Sequence, residues 1–184
     1  MDDLVKAAML KWPNVPHCYG WLGLDARGNW YMRDAAAQAR GAFNSGMLGA
    51  KGSALQHDKL ISFINRNYTH DELGQWYFQN GPQRVFVELE VSPYIWQLSS
   101  DFSVTAHTGA SAVVHECLVD AAGRVYLVCD LGFGLVHSLD VDRVAQALEQ
   151  GHWQLSQAED ADLAQRYDFE ISPQRRWLAA QEHS

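Results

Sequence analysis

The sequence predicts a single α+β domain, built on a mainly antiparallel sheet of about six or seven strands with helices packed on one face. Two observations predict this class. Strand-like runs are joined by short turns of the type Asp-Ala-x-Gly at residues 25–28 and 120–123. Segments with helical periodicity do not alternate regularly with strands, as they would in a parallel β-α-β fold.

The two Asp-Ala-x-Gly turns predict two hairpins. The first joins residues 17–25 to residues 29–33 and pairs Asp25 with Asn29. The second joins residues 112–120 to residues 124–130 and pairs Asp120 with Arg124. The flanks beyond the turns differ, so the similarity indicates recurring turn chemistry rather than an internal repeat.

The stretch from Asp71 to Glu90 predicts a helix followed by a strand. Leu73, Trp76 and Tyr77 have helical spacing, and Asn80-Gly81-Pro82 is a helix stop. From Arg84 the apolar residues alternate with period two, which is typical of a half-buried strand.

Four further helices are predicted from apolar spacing, capping residues and helix-breaking prolines. They run over residues 2–11, from Ser53 to about Asn67, from Asp140 to Gly151, and onward from Ser156.

Length and composition favour one globular domain over residues 1–184. The chain has 184 residues, of which 47% are hydrophobic and 20% charged. Glycine and alanine dominate residues 35–52, which predicts a flexible loop, and a polar tail is expected from about residue 173.

Charge and motif content exclude several classes of function. The net charge of −8 opposes nucleic-acid binding, and the chain lacks an apolar run of membrane-spanning length. Acidic residues at the N-terminus do not match a secretory signal, so a soluble, cytoplasmic protein is expected. The three cysteines lack zinc-ligand spacing, and dinucleotide and phosphate-loop fingerprints are absent, so we expect reduced thiols, no metal and no cofactor. A homo-oligomer is left open.

Three segments carry a resemblance to a known family. They are Val15-Pro-His-Cys-Tyr-Gly-Trp-Leu-Gly-Leu-Asp25, Phe63-Ile-Asn-Arg-Asn-Tyr68 and Trp76-Tyr-Phe-Gln-Asn-Gly-Pro-Gln-Arg-Val85. They resemble segments of a family of small uncharacterised bacterial proteins, a domain of unknown function. The resemblance implies a bacterial, soluble, stand-alone protein and implies no reaction, cofactor or catalytic residue.

The second hairpin carries one candidate catalytic or metal site. Pairing Asp120 with Arg124 places His115 opposite Cys129, with Cys117 on the same face. Two thiols and an imidazole suit a zinc ion or a Cys/His nucleophile pair. Valines and a leucine share this face, however, and free cysteine is among the most buried residue types, so a core position is favoured.

A second catalytic candidate is the pair Glu88 and Glu90. Residues two apart on a strand point the same way at a separation of about 7 Å, which suits the acid and base of a glycosidase. Solvated carboxylates on an outer sheet face are more common, so this pair is the weaker candidate.

The favoured binding site is a group of polar residues around the predicted helix ends. Planar guanidinium groups suit oxyanions, and amide side chains add donors. The proposed ligand-binding residues are Arg66, Arg84, Asn67, Asn80 and Gln83. For these residues the structural interpretation, that the side chains satisfy backbone groups at helix ends, is favoured over binding.

Two classes of function follow. The first, which the sequence favours, is a non-catalytic binding or accessory protein for a small ligand, with an anion as one candidate, or for a protein partner. The second is a small hydrolase that uses a Cys/His pair, a metal site or paired carboxylates. An enzyme must bring a base and its orienting partner together in one cleft, whereas a binding protein needs only a shaped pocket.

Overall fold

A computed structural model describes residues 1–158 and 163–182, in which the chain divides into two compact units. The first unit comprises Met1–Asp25, Asn29–Val91 and Phe169–Ser184, and the second comprises Ala26–Gly28 and Ser92–Asp168. The predicted α+β class is confirmed, with the strands shared between two mixed sheets. The single-domain organisation stays a prediction.

The strands are β1 Cys18–Leu24, β2 Trp30–Met32, β3 Ser53–Ala54, β4 Tyr68–His70, β5 Trp76–Asn80, β6 Gln83–Leu89, β7 Tyr94–Leu98, β8 Val104–Ala106, β9 Ser111–Ala112, β10 Val114–Val119, β11 Val125–Cys129, β12 Gly132–Val136 and β13 Leu155–Gln157. The helices are α1 Asp3–Lys11, α2 Ala35–Ala39, α3 Asp58–Arg66, α4 Val141–Glu149, α5 Leu163–Arg166 and α6 Pro173–Glu182. Each helix of the described chain is too short or too polar to cross a lipid bilayer.

The first sheet has the order β3-β2-β1-β6-β5-β4, with β1 and β6 parallel. The first predicted hairpin is confirmed: Leu24 pairs with Trp30, and Asp25 N donates to Asn29 O at 3.0 Å. Leu22, Leu24, Trp30 and Val87 are buried in this unit. Their burial confirms that one face of each of these strands belongs to the core.

The helix predicted after Asp71 is wrong. A turn occupies residues 71–74, and β5 then forms a hairpin with β6 in which Asn80 pairs with Gln83. Gly81 takes a φ of +56°, which a glycine adopts without strain and which lets the chain reverse over two residues. The strand predicted from Arg84 is confirmed as part of β6.

The second sheet has the order β13-β10-β11-β12-β7-β8-β9, with parallel pairs β10–β13 and β12–β7. The second predicted hairpin is also confirmed, since Val119 pairs with Val125 and Asp120 N donates to Arg124 O at 3.0 Å. The apolar core of this unit packs around Trp96 and Leu127, both fully buried.

The helix boundaries depart from the capping signals at several points. Ser53 pairs with Met32 in the first sheet, so α3 begins only at Asp58, where His57 Nδ1 accepts from Leu60 N at 3.3 Å. The helix predicted between Asp140 and Gly151 is confirmed as α4. Residues 155–157 form β13 instead of starting a helix, and the continuation of that predicted helix over residues 159–162 lies outside the described residues.

Two segments expected to be irregular contain helices. Residues 35–39 of the glycine- and alanine-rich stretch form α2, and the buried guanidinium of Arg33 donates to the carbonyls of Gly41 and Ala50 at 2.7 and 2.9 Å. Residues 173–182 form α6, which packs against β1 and β6.

Candidate functional site

An open cleft of about 530 Å³ lies beside the hairpin formed by β5 and β6. Its walls come from the end of β4, the following turn, β5 and the start of β6. The lining residues are His70, Asp71, Glu72, Leu73, Tyr77 and Arg84. Its volume falls in the range of about 300–1,000 Å³ that is typical of small-molecule sites.

The turn at residues 71–74 shapes one wall of this cleft. Asp71 Oδ1 accepts from Leu73 N at 3.0 Å and from Gln75 N at 2.9 Å, and Oδ2 accepts from Gln75 Nε2 at 3.0 Å. Gly74 takes a φ of +69°, which closes the turn without strain. The Asp71 carboxylate is therefore occupied within the turn, while Glu72 and Leu73 are exposed.

Arg84 also lines this cleft. Its guanidinium lies over the ring of Tyr77, 4.6 Å from the ring centroid, and the side chain is half-buried. Within the described chain, Arg84 makes no hydrogen bond or ion pair through its side chain. A guanidinium supported by an aromatic ring and free of a carboxylate partner keeps its donors for a ligand.

Aromatic packing holds Tyr77 rigidly beneath Arg84. Tyr77 meets Phe86 edge to face at 5.6 Å, and Phe86 stacks on Tyr19 at 4.5 Å. Tyr19 stacks in turn on Trp177 of α6 at 5.2 Å. Burial raises the pKa of Tyr77, so its hydroxyl stays protonated at neutral pH.

His17 adds a neutral group to the same face. Its ring meets Phe86 edge to face at 5.8 Å. Partial burial, with the charge of Arg84 adding to it, lowers the pKa of His17, so the imidazole is uncharged at neutral pH. Among the residues that line the cleft, Arg84 carries the permanent positive charge.

Arg66, the predicted partner of Arg84, does not join it. Successive strand residues point to opposite faces, so Tyr77 and Phe78 lie on opposite sides of the first sheet. Phe63 of α3 packs against Phe78 at 5.4 Å, which places the helix that carries Arg66 on the side away from Arg84.

Arg66 and Asn67 instead hold the N-terminal segment. Arg66 pairs with Asp2 at 3.3 Å, and its guanidinium holds the pKa of that carboxyl below the ordinary value. Asn67 is buried; its Oδ1 accepts from Asp2 N at 2.8 Å and its Nδ2 donates to Phe63 O at 3.0 Å. Both side chains are thus used in structural bonds.

Asn80 and Gln83 lie at the end of the hairpin, where they pair with each other. Asn80 is exposed, and Gln83 Nε2 donates to Pro16 O at 2.9 Å. Neither residue lines the cleft beside Arg84. Of the five residues proposed from the sequence, Arg84 alone borders it.

Glu88 and Glu90 lie in different environments. Glu88 is 2% exposed; it accepts from Ser172 Oγ at 2.5 Å and from Gln174 N at 3.0 Å. Burial raises its pKa, against the opposing effect of these donors. Glu90 forms an ion pair with Lys51 at 2.7 Å.

The bonds of Glu88 anchor α6. Ser172 and Gln174 flank the first residue of that helix, where a carboxylate is favoured by unpaired backbone N–H groups. Glu88 also borders a smaller cleft of about 350 Å³. Because both its oxygens accept hydrogen bonds from the segment that begins α6, the carboxylate serves that helix rather than pairing with Glu90.

The trio of His115, Cys117 and Cys129 does not converge. An irregularity between Val114 and Glu116 shifts the register, so Val114 rather than His115 pairs with Cys129. His115 is exposed, whereas both cysteines belong to the apolar core. Burial raises the pKa of Cys117 to about 11 and that of Cys129 to about 12.

This second hairpin therefore lacks the arrangement that thiol chemistry needs. Thiols with raised pKa values are poor nucleophiles at neutral pH. Across residues 1–158 and 163–182, no three His, Cys, Asp or Glu side chains group as a metal ion would require.

Pattern reasoning missed the residues that share the cleft with Arg84, namely His70, Glu72, Leu73 and Tyr77. One signal could have found them. Asp71 and Gly74 have the same Asp-x-x-Gly spacing as the two hairpin turns, and that spacing predicts a turn at the place where the helix was expected.

Comparisons with known proteins identify a family and a distant structural likeness. A family model, DUF2944, described as "Protein of unknown function (DUF2946)", matches residues 1–176. Among curated proteins no match was found. A DUF1285 family protein from Silicibacter pomeroyi DSS-3 is 14% identical with a TM-score of 0.47, over 79% of this chain and 84% of that one. A DUF1285 family protein from Shewanella baltica OS155 is 14% identical with a TM-score of 0.41, over 68% of this chain and 91% of that one.

Proposed function

The chain belongs to the DUF2944 family of proteins of unknown function, and we propose that it is a non-catalytic binding protein that holds a small ligand through an anionic group at Arg84. The observation that carries the proposal is the Arg84 guanidinium itself. It is supported by Tyr77 at 4.6 Å, lacks a carboxylate partner in the described chain, and borders a cleft of about 530 Å³.

The chemistry of this site suits binding better than hydrolysis. A guanidinium donates two parallel hydrogen bonds to a carboxylate or phosphate, and its support on a packed ring reduces the entropy lost on binding. The candidate catalytic groups are engaged elsewhere: Glu88 accepts from Ser172 and Gln174, and the thiols of Cys117 and Cys129 are buried. Binding therefore uses the group that the fold leaves available.

The test compares Arg84→Gln with Arg66→Gln in thermal-shift and calorimetric titrations with acetate, succinate, inorganic phosphate and a panel of carboxylate metabolites. A ligand at 100 times its Kd stabilises the native protein by about 2.7 kcal/mol. We expect Arg84→Gln to weaken binding by about 10–100-fold, since a hydrogen bond to a charged group contributes about 1.5–3 kcal/mol.

Arg66→Gln is the matched control, because it removes a guanidinium that Asp2 already engages. Arg84→Lys distinguishes the planar fork from charge alone, and we expect it to restore only part of the affinity. If no anion binds in a manner that depends on Arg84, or if both arginine variants lose affinity equally, the proposal is wrong.

A further inference from the structure

The cleft beside Arg84 carries charges of both signs. Arg84 shares the cleft with Asp71 and Glu72, and the formal charges of these three side chains sum to −1. A simple anion bound at Arg84 would meet two nearby carboxylates in a protein whose net charge is already −8. The surroundings of Arg84 therefore disfavour a ligand that is only anionic.

The two carboxylates of this wall differ in what they already bind. Asp71 accepts two backbone N–H groups and the Gln75 amide, which hold it within the turn. Glu72 is exposed and makes no hydrogen bond or ion pair with any residue of the described chain. Since the bonds of Asp71 set the turn that carries Glu72, a free carboxylate lines the same cleft as the free guanidinium.

An apolar side chain lies next to this carboxylate. Leu73 lines the cleft and is 54% exposed, so its side chain is accessible to a ligand. A pocket with one cationic group, one free carboxylate and an apolar contact matches a ligand that has the complementary groups.

We infer that the ligand is a small zwitterion, an amino carboxylate whose carboxylate binds Arg84 and whose ammonium group is received by Glu72. This inference rests on the proposed function and adds the second charged group to it. Glu72 supplies specificity. A ligand that has a carboxylate but no amine leaves Glu72 unpaired and is repelled by its negative charge. Leu73 contacts the hydrocarbon part of the ligand.

The experiment uses amino carboxylates paired with their des-amino acids. The probes are leucine with isocaproate, γ-aminobutyrate with butyrate, and ε-aminocaproate with caproate, which cover short and long separations of the two charges. Affinities are measured by calorimetry on wild type, Arg84→Gln, Glu72→Gln and Glu182→Gln. Glu182 is the control because it is an exposed glutamate of α6 that does not line the cleft.

We expect at least one amino carboxylate to bind wild type about tenfold more tightly than its des-amino partner. Glu72→Gln abolishes that preference and leaves the des-amino acid bound as well or better. Arg84→Gln weakens the binding of both ligands of the pair, and Glu182→Gln changes the affinity for neither.

Other outcomes separate the two proposals. If the des-amino acids bind as tightly as the amino carboxylates and depend on Arg84, the zwitterion inference fails and the proposed function stands. A preference for the amine that survives Glu72→Gln also overturns the inference. If none of the six probes binds in an Arg84-dependent manner, the inference is overturned as well, and the titrations with carboxylates and phosphate decide the proposed function independently.

Discussion

The hairpin of β5 and β6 keeps a charged side chain at an open cleft, whereas the hairpin of β10 and β11 buries its thiols. In the first, Tyr77 and Phe86 are buried and Arg84 covers the Tyr77 ring at the surface. In the second, Cys117 and Cys129 pack in an apolar cluster with Val144 of α4. The chemical role of a strand residue is thus set by what covers its face, since burial suppresses thiolate formation while partial exposure keeps guanidinium donors available.

The largest expected effect tests the aromatic packing beneath Arg84. Phe86 lies between Tyr19 and Tyr77, so Phe86→Ala should leave a cavity and lower the free energy of unfolding by about 3–5 kcal/mol. Urea denaturation measures the change. Phe86→Leu is the control and should cost less; equal losses for both variants would show that cavity size is not what matters at this position.

The second prediction concerns the buried cysteine face. Cys117→Ser places a hydroxyl in the apolar core and should cost about 1–3 kcal/mol, whereas Cys117→Ala should cost less. Native-state alkylation followed by mass spectrometry gives an independent measurement. Cys18, which is only partly buried, should react before Cys117 and Cys129, and rapid labelling of either buried thiol would argue against their core position.

The third prediction is a pH dependence that arises from Glu88 on β6. Burial raises its pKa above the ordinary value, so the folded protein holds this proton more tightly than the unfolded chain does. The resulting stabilisation is fully present below the unfolded pKa and is lost as the pH rises through the folded pKa. Glu88→Gln removes this titration, so the variant should gain stability relative to wild type as the pH rises above the unfolded pKa of this carboxyl.

Chemical denaturation at a series of pH values measures this difference. Glu182→Gln corrects for the general effect of removing one negative charge. If wild type instead gains stability relative to Glu88→Gln as the pH rises, the hydrogen bonds from Ser172 and Gln174 outweigh burial at this carboxylate.

The smallest expected effect separates binding from stability at the first hairpin. Arg84→Gln removes a cation from the Tyr77 ring and should lower the free energy of unfolding by only about 0.5–1 kcal/mol. Thermal unfolding of the ligand-free protein measures it. A loss as large as that of Phe86→Ala would assign Arg84 to the fold instead of to a ligand.

Local sequence signals determined the turns and several elements of this protein. The turns at Asp25, Asp71 and Asp120 share one arrangement: the Asp Oδ1 accepts the N–H of the residue four positions on, at 2.8, 2.9 and 2.9 Å. The glycine three positions after each aspartate has a positive φ. Since all these contacts lie within five residues, the sequence contains the information, and two of the three turns were predicted from it.

The error at residues 71–80 shows where local information is ambiguous. The spacing of Leu73, Trp76 and Tyr77 fits a helix, yet the same aromatic residues fit a strand that is covered on both faces. Pairing with the neighbouring strands β4 and β6 decides between the two, and the spacing within residues 71–80 does not specify those partners.

Tertiary structure alone decided which candidate residues stay available. The sequence predicted Arg84 at the start of a strand, but only packing placed Tyr77 beneath it, engaged Arg66 with Asp2 and bonded Glu88 to Ser172, 84 residues along the chain. The register shift at Val114 moved His115 away from Cys129 by a single residue, which no propensity specifies. Short-range hydrogen bonds are specified by the local sequence. The burial of a side chain and the identity of its partners depend on residues from distant segments of the chain.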